Sequence, residues 1–325
     1  MNNRRKFLAA LSVGAIVAAR PVYSQSRPFQ ISWFSGGSLR TDALFFDAFG
    51  DELRKFGYVE GRNLVLQALR ADGSSERLDQ LAVDLVRTRP DVIVTVGPAV
   101  LALRRAGATT PVVFGFSGNP VEAKIVEGFP RPGSNYTGIS FLTLELVSKR
   151  MEMMKEILPR LKRVAVVAQP LHPGDLSERR ASQTAATALG LELDFFEMRG
   201  VAQLEGILGA IQKARSEAVV WFPVASLMSA SPQIAAWSVT NRTASISGWA
   251  TFADGGNLMS YGPNLRESFQ RLAYFVDRIL KGAKPSELPV ELPTRVEFVV
   301  NLKAATTLGI KIPGSILVRA DRVIE

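Results

Sequence analysis

Short apolar runs alternate with segments of helical periodicity from residue 29 onward, and this alternation limits the fold more than any other feature. The run QISWF at residues 30–34 is typical of a buried strand. The next segment places aromatic and aliphatic residues three or four positions apart, as on one face of a helix: Phe45, Phe49, Leu53 and Phe56. Strands that alternate with helices predict an α/β fold with a parallel sheet covered by helices.

The same alternation continues through the first third of the chain. It predicts a helix over residues 75–87 and further strands at residues 63–69, 90–97 and 111–116. Turns of small residues follow three of the strands: Ser35-Gly36-Gly37, Gly97-Pro98 and Ser117-Gly118-Asn119. Ligands of open α/β sheets bind outside the carboxyl ends of the strands, so we expect these turns to border a site.

The pattern then begins again, as a weak internal repeat. KFGYVEGRNLVLQ corresponds to ALGLELDFFE, and PDVIVTVGP to SEAVVWFPV. The second copy contains strands at residues 163–169, 191–197 and 217–223, with helices at 177–189 and 201–214. A chain of 325 residues also exceeds what one core usually holds, so we predict two doubly wound lobes.

The last third of the chain supplies material for both lobes. A strand-like run at 244–250 precedes the stretch ADGGNLMSYGPNLRESF, residues 253–269, in which we expect a turn at 254–256, a short strand at 257–261 and a crossing at Gly262-Pro263. A helix at 265–280, a proline-rich crossing at 281–293, a strand at 295–301 and a short helix ending at Gly309 follow. We predict lobe 1 from residues 28–140 plus 262–290 and lobe 2 from 141–261 plus 291–325. Several crossings make a hinge.

The N-terminus has the pattern of an export signal. MNNRRKF is the positive region, residues 8–19 are apolar, and VYS at 22–24 fits a cleavage site, so we expect a signal peptide over residues 1–24 cleaved near Ser24. Arg4-Arg5 resembles the twin-arginine (Tat) pattern, although Sec signals also begin this way. A retained anchor is disfavoured because a membrane-spanning helix needs roughly 20 apolar residues. The absence of cysteine removes any lipid-modified cysteine, so we expect a free, soluble, exported protein.

The net charge of +9 does not indicate a nucleic-acid partner. Four of the basic residues fall in the first 24 positions, where there is no acid, and the rest of the chain has no basic run interleaved with aromatic residues. We therefore predict no nucleic-acid binding.

Motifs for catalysis, metal binding and nucleotide binding are missing. His172 is the sole histidine, and neither G-x-S-x-G nor a phosphate-loop motif occurs. Asp42, Asp175 and Asp254 lie near strand ends. They could act in acid–base catalysis, or they could be surface carboxylates that the helix dipole favours near the start of a helix. We predict no catalytic residue, no metal and no cofactor, and expect that the protein is not an enzyme.

Two lobes that face each other leave a cleft lined by the strand-end turns. Small residues with amide and hydroxyl donors, mixed with Trp33, Phe116, Phe222 and Trp249, suit a small organic molecule with an apolar or aromatic body and a carboxylate. For Trp33 the core is an equal alternative, and Trp249 is the better candidate for the cleft.

Several longer segments carry a family resemblance. FGYVEGRNLVLQALRADG, GFPRPGSNYTGIS, GGNLMSYGPNL, DRILKGAKPSELPVELPTRVEFVVNLKAATTLGIKIP and RADRVIE resemble the ABC transporter substrate-binding family related to tryptophan- and tyrosine-binding periplasmic proteins. The resemblance implies a type 1 periplasmic-binding-protein fold, hinge closure over one solute, and delivery to an ABC permease in the inner membrane. We accordingly expect a periplasmic, monomeric protein.

Carried over by position, the resemblance places binding turns at residues 35–38, 96–98 and 117–119 in the first lobe and at 169–172, 223–225 and 249–250 in the second. The candidate ligand-binding residues are Ser35, Gly36, Gly37, Ser38, Gly97, Pro98, Ser117, Gly118, Asn119, His172, Pro223, Trp249, Asp254 and, from the hinge strand, Tyr261. Relatives commonly have Thr at Pro98, Asp-Pro at Asn119 and Asn at His172. These departures argue against an unmodified amino acid and favour an anionic solute over a zwitterion.

Two other functions are compatible with the same cleft. One is an exported α/β enzyme that acts through the cleft carboxylates or His172. The other is a ligand sensor for a membrane receptor or kinase, which differs only in the membrane protein that it contacts.

Overall fold

The computed structural model describes residues 27–141, 144–170 and 172–325, so the predicted signal peptide lies outside the described residues. The first lobe is built on a five-stranded parallel sheet with strand order β2-β1-β3-β4-β5. Its strands are β1 (Phe29–Ser35), β2 (Leu64–Arg70), β3 (Val92–Val96), β4 (Val112–Phe116) and β5 (Tyr136–Ser140).

Helices on both faces of this sheet follow from the apolar periodicity. They are α1 (Leu39–Lys55), α2 (Ser75–Thr88) and α3 (Ala99–Arg105). Ser38 caps α1 by accepting a hydrogen bond from the Thr41 amide, and Phe45, Phe49 and Leu53 are buried on one face as predicted.

The second lobe is built on a seven-stranded sheet with strand order β12-β11-β10-β9-β8-β6-β7, in which only β10 and β11 pair in antiparallel fashion among the described strands. Its strands are β6 (Arg163–Ala168), β7 (Glu192–Glu197), β8 (Ala218–Trp221), β9 (Ala244–Ser247), β10 (Met259–Pro263), β11 (Val296–Asn301) and β12 (Arg322–Ile324). Its helices are α4 (Leu144–Ile157), α5 (Asp175–Leu189), α6 (Leu204–Lys213), α7 (Ala225–Asn241), α8 (Ala250–Asp254), α10 (Leu302–Leu308) and α11 (Gly314–Arg319). The predicted doubly wound, two-lobed α/β fold is confirmed.

The helix α9 (Leu265–Leu280) brings the chain back to the first lobe. It packs against α1 and buries Phe269, Leu272 and Phe275 in the core of that lobe. The chain then runs beside β5, where the Glu291 amide donates to the Gly138 carbonyl at 2.9 Å, before it enters β11. The chain therefore passes between the two sheets three times: after β5, after β10 and before β11.

Residues 244–263 differ from the prediction. The strand ends at Ser247, and Trp249 is the N-cap of α8, which begins at Ala250, so the predicted extension of a strand to residue 250 is wrong. Asn257 is a buried anchor and not a strand residue: its amide group donates to the carbonyls of Ser231 and Phe252 at 2.9 and 3.1 Å. The strand β10 consequently starts at residue 259 and includes the predicted crossing pair, Gly262-Pro263.

Gly262 is required by the pairing of β9 with β10. A Cβ atom at this position would overlap the carbonyl oxygen of Gly248. Gly262 thus allows close contact between two backbone segments, which is a reason for glycine that has nothing to do with phosphate binding.

Candidate functional site

The two lobes touch across a cleft formed by the carboxyl ends of both sheets. A Cβ atom on Gly118, after β4, would lie 2.9 Å from the Cβ of Pro173, in the loop after β6. Phe45 on α1 meets Trp249 edge to face, with ring centroids 6.4 Å apart. These contacts join residues of opposite lobes, so the lobes touch at the carboxyl ends of their strands.

A buried polar cluster lies at the carboxyl ends of β1 and β2 in the first lobe. Asp42 accepts hydrogen bonds from the Ser35 hydroxyl and, at 3.3 Å, from the indole N–H of Trp33. The Arg70 Nε atom lies 3.4 Å from the same carboxylate, and its guanidinium stacks over Phe46 at 5.0 Å. The Asp42 carboxylate is therefore already neutralised and hydrogen-bonded, and Trp33 is a core residue.

The turn after β1 is held by its own backbone. The carbonyls of Gly36 and Gly37 accept hydrogen bonds from the amides of Gly73 and Asp72 at 2.9 and 3.0 Å, and Ser38 caps α1. These contacts join the ends of β1 and β2 and leave the turn rigid.

The other predicted first-lobe residues lie at the ends of β3 and β4. The Gly97 amide donates to the Gly115 carbonyl at 2.9 Å, and Pro98 precedes α3. Ser117 is half-buried, and the Asn119 side chain accepts a hydrogen bond from the Val121 amide at 3.0 Å. Gly118 lies beside the opposite lobe, next to Pro173.

His172 is buried in the turn after β6. Its Nδ1 atom accepts a hydrogen bond from the Gly174 amide at 3.3 Å, and its Nε2 atom lies 3.6 Å from a Glu178 carboxyl oxygen. Burial, with a smaller contribution from the charge of Arg150, lowers the pKa of His172 to about 4. The imidazole is therefore neutral at neutral pH.

The same region contains a buried arginine and a buried glutamate. The Nε atom of Arg150, on α4, donates to the Tyr261 carbonyl at 2.8 Å. Burial raises the pKa of Glu178 to about 8, with Asp175 also raising it and Arg150 opposing the shift. Burial lowers the pKa of Arg150 from its ordinary value, but a guanidinium remains charged in proteins. At neutral pH this region holds a protonated Glu178 and a charged Arg150.

The remaining predicted residues of the second lobe lie in different surroundings. Pro223 lies against Gly248 at the ends of β8 and β9, and Trp249 is buried against the first lobe. The Tyr261 ring packs edge to face on Phe298 at 5.7 Å. Asp254 forms an ion pair with Arg322 at 2.7 Å on the half-exposed surface, and so contacts a residue of the last strand and none of the other predicted site residues.

Arg70, Arg150 and Glu178 lie beside predicted site residues and were not predicted from the sequence. For Arg150 a signal exists, because Val147, Met151 and Met154 mark the buried face of a helix and Arg150 lies on that face. A charged residue in an apolar stripe indicates a buried partner or ligand. That signal requires α4 to be assigned, and the prediction did not include this helix.

Outside the cleft, the described residues form surface cavities but no cluster of metal ligands and no membrane-spanning helix. Two surface cavities lie elsewhere: one beside the hinge at Asn264 and Arg271, and one near Arg160 and Arg242 at the amino-end side of the second sheet. The described ranges contain no cluster of three or more potential metal ligands. They also contain no helix that is long and apolar enough to cross a membrane.

Two doubly wound lobes, three chain crossings and a cleft at the strand ends define a two-lobed binding protein of the type 1 periplasmic fold. A family model described as ABC transporter substrate binding protein matches residues 41–324, and the chain belongs to this family. The predicted family resemblance is thereby confirmed.

Individual relatives agree with this assignment. A tyrosine-binding protein of Clostridioides difficile (strain R20291) is 20% identical over 249 residues, which cover 75% of this chain and 70% of that protein. A conserved domain protein from Vibrio cholerae is 27% identical with a TM-score of 0.85, covering 91% of this chain and all of that structure. A Streptococcus pneumoniae ABC domain in complex with L-Trp is 21% identical with a TM-score of 0.84 over the same shares of the two chains.

Proposed function

We propose that this protein is the exported, periplasmic solute-binding subunit of an ABC importer. It binds one small organic solute with an aromatic or carboxylate-bearing structure in the interlobe cleft and acts without covalent chemistry. The observation that carries this proposal is the contact of the two lobes across the strand ends, at Gly118 with Pro173 and at Phe45 with Trp249.

Hinge closure supplies the mechanism. A solute that contacts both lobes binds the closed state better than the open state, and this difference in affinity shifts the population to the closed state. The three chain crossings restrict the motion to a bend, and a permease in the inner membrane recognises the closed form of the monomer.

The polar groups of the cleft support binding over catalysis. Asp42 is paired with Arg70, and Asp175 forms an ion pair with Arg179 at 2.7 Å, so each carboxylate already has a cationic partner. His172 is neutral and buried, with its Nδ1 atom already accepting a hydrogen bond. We propose the strand-end residues around Gly118, His172, Pro223 and Trp249 as the wall of the solute site.

The names of two relatives support the size of the solute. One is a tyrosine-binding protein and one was crystallised with L-Trp, so a solute of about the size of an aromatic amino acid fits the proposal.

The test is a thermal-shift screen of the mature protein, residues 25–325, against aromatic and aliphatic acids, their amides, amino acids and nucleosides. We expect at least one solute to raise the melting temperature and to lower the radius of gyration in X-ray scattering. If a compound is consumed over time while none stabilises the protein, the enzyme alternative replaces this function.

A further inference from the structure

We propose that Arg150 is a ligand-binding residue that selects organic anions: its buried guanidinium binds the carboxylate of a solute that carries no ammonium group. This inference rests on the proposed function and names the class of solute.

The guanidinium lies at the carboxyl edge of the second sheet, where the cleft is. A Cβ atom on Gly248, just after β9, would lie 2.7 Å from the Arg150 Nη2 atom and 2.8 Å from Pro223, just after β8. The Nε atom reaches the Tyr261 carbonyl in β10. Three strand ends thus surround the group, and the turn after β6 with His172 lies close enough for the charge of Arg150 to lower the pKa of that imidazole.

The charge of Arg150 forms no ion pair among the described residues, and the group of opposite sign that acts on it from a greater distance is Glu178, when that carboxyl is ionised. The Arg150 Nη1 atom is buried without a hydrogen-bond acceptor. Among the described residues, no carboxylate oxygen lies within 4.0 Å of the guanidinium. A buried charge without a partner costs several kcal/mol, so this group is stabilised by an anion that enters the cleft.

The neighbouring titratable groups leave this charge uncompensated at neutral pH. Glu178 keeps its proton because burial raises its pKa to about 8, and His172 is neutral. Asp175 forms an ion pair with Arg179 through its Oδ2 atom, and its Oδ1 atom is buried without a hydrogen-bond partner. A planar guanidinium matches a carboxylate with two parallel hydrogen bonds, which is the geometry that an incoming organic acid offers.

The same groups exclude a cationic or zwitterionic solute. An ammonium group needs a free carboxylate, but Asp42 on the opposite wall already binds Ser35, Trp33 and Arg70. With Glu178 protonated and Asp175 already in an ion pair with Arg179, a buried ammonium group has no unpaired carboxylate as its counter-charge.

The test uses matched sets of probes that share one body. One set is 3-(4-hydroxyphenyl)propionate, its amide, L-tyrosine and tyramine; the second is 3-indolepropionate, its amide, L-tryptophan and tryptamine; the third is 4-methylvalerate, its amide, L-leucine and isoamylamine. Calorimetric titration of the mature protein should find at least one acid that binds about 10-fold or more tightly than its amide and its amino acid.

Variants assign the effect to the guanidinium. Arg150→Gln should weaken binding of that acid by about 10–100-fold, the equivalent of one or two lost charged hydrogen bonds, and leave the amide unchanged. Arg150→Lys keeps the charge and should lose less, which provides a readout if the Gln variant fails to fold. Arg163→Gln, at the amino end of β6, is the matched control and should bind as the wild type does.

Each outcome decides the proposal. Equal binding of an acid and its amide, tighter binding of the amino acid, unchanged acid binding by Arg150→Gln, or stabilisation by no acid overturns it. Binding of a neutral solute by both the wild type and Arg150→Gln removes this inference while the solute-binding function stands. Consumption of a compound without stabilisation removes both.

Discussion

The Nε atom of Arg150 donates a hydrogen bond of 2.8 Å to the carbonyl oxygen of Tyr261. Arg150 lies on α4, the first helix that the chain forms after it leaves the first lobe, and Tyr261 lies on β10, the last strand before it returns. The Arg150 side chain therefore joins the segment with which the chain enters the second lobe to the strand after which it leaves that lobe.

Removal of the aromatic contact between the lobes should favour the open state. Trp249→Ala deletes the ring that Phe45 meets at 6.4 Å, and burial of such a pair contributes about 1 kcal/mol beyond area alone. We expect a larger radius of gyration without solute and weaker binding of any solute found, measured by X-ray scattering and calorimetry.

A double-mutant cycle isolates this contact. Phe45→Leu should open the protein in the same direction, and the two changes together should cost less than their sum because they remove one interaction. Trp237→Ala, which alters a tryptophan packed within the second lobe only, serves as the control. Unchanged solute affinity in Trp249→Ala would remove Trp249 from the site.

Burial of Glu178 should lower the free energy of unfolding of the protein as the pH rises. The pKa of Glu178 is about 8 in the folded protein and 4.5 ordinarily, so between these values the folded state holds a proton that the unfolded state has released. The free energy of unfolding should therefore fall by about 1 kcal/mol per pH unit relative to Glu178→Gln, which copies the protonated acid and does not titrate. Urea unfolding from pH 5 to 8.5 measures the difference in the free energy of unfolding between the two proteins.

The charged groups that act on the Glu178 carboxyl are Arg150 and Asp175, with Arg179 paired to the latter. A constant difference between the two proteins would contradict the assignment.

Burial of His172 should raise the free energy of unfolding as the pH rises, and it should do so over a lower pH range than Glu178. The pKa of His172 is about 4 in the folded protein and 6.5 ordinarily, so the unfolded state binds the proton first as the pH falls. Stability present above pH 6.5 is lost as the pH falls toward 4, and His172→Asn removes that slope of about 1 kcal/mol per pH unit. Between pH 4.5 and 6.5 the two groups offset each other, so the wild type should be flat there while each single variant slopes. Thermal and urea unfolding at matched pH check this pattern, and a wild type that slopes as steeply as either variant would refute it.

Loss of the Asn257 side chain should destabilise the second lobe. Its amide group donates to Ser231 and Phe252, and its oxygen accepts from the Ser245 hydroxyl at 2.9 Å, so one residue joins α7, α8 and β9. Asn257→Ala leaves several buried polar groups without partners, and we expect a loss of about 2–4 kcal/mol in urea unfolding. Asn241→Ala, which deletes a single bond to the Trp237 carbonyl at the end of α7, should cost about 1 kcal/mol or less. Equal losses in the two variants would show that Asn257 has no special role.

The apolar spacing of the sequence predicts some helices of this protein and not others. The helix α9 begins at Leu265 and ends at Leu280 as the spacing of its apolar residues predicts, because Asn264 caps it and one face is strongly apolar. The helices α4 and α7 were not predicted. In α4 a charged Arg150 interrupts the apolar face, and α7 is apolar without one clear stripe and contains Pro232, so the periodic signal is weak in both.

The sequence by itself determined the two doubly wound lobes and the edge at which a solute would bind, because the periodicity of burial is a local property and the carboxyl ends of parallel strands always share one edge. Only the tertiary structure decided which side chains at that edge keep free binding capacity. Asp42 lies at the predicted edge yet is occupied by Ser35, Trp33 and Arg70, whereas Arg150 enters from an unpredicted helix and keeps an unpaired Nη1 atom. The physical reason is that a buried charge is compensated by groups far apart in the chain, and no local pattern records which of them it meets.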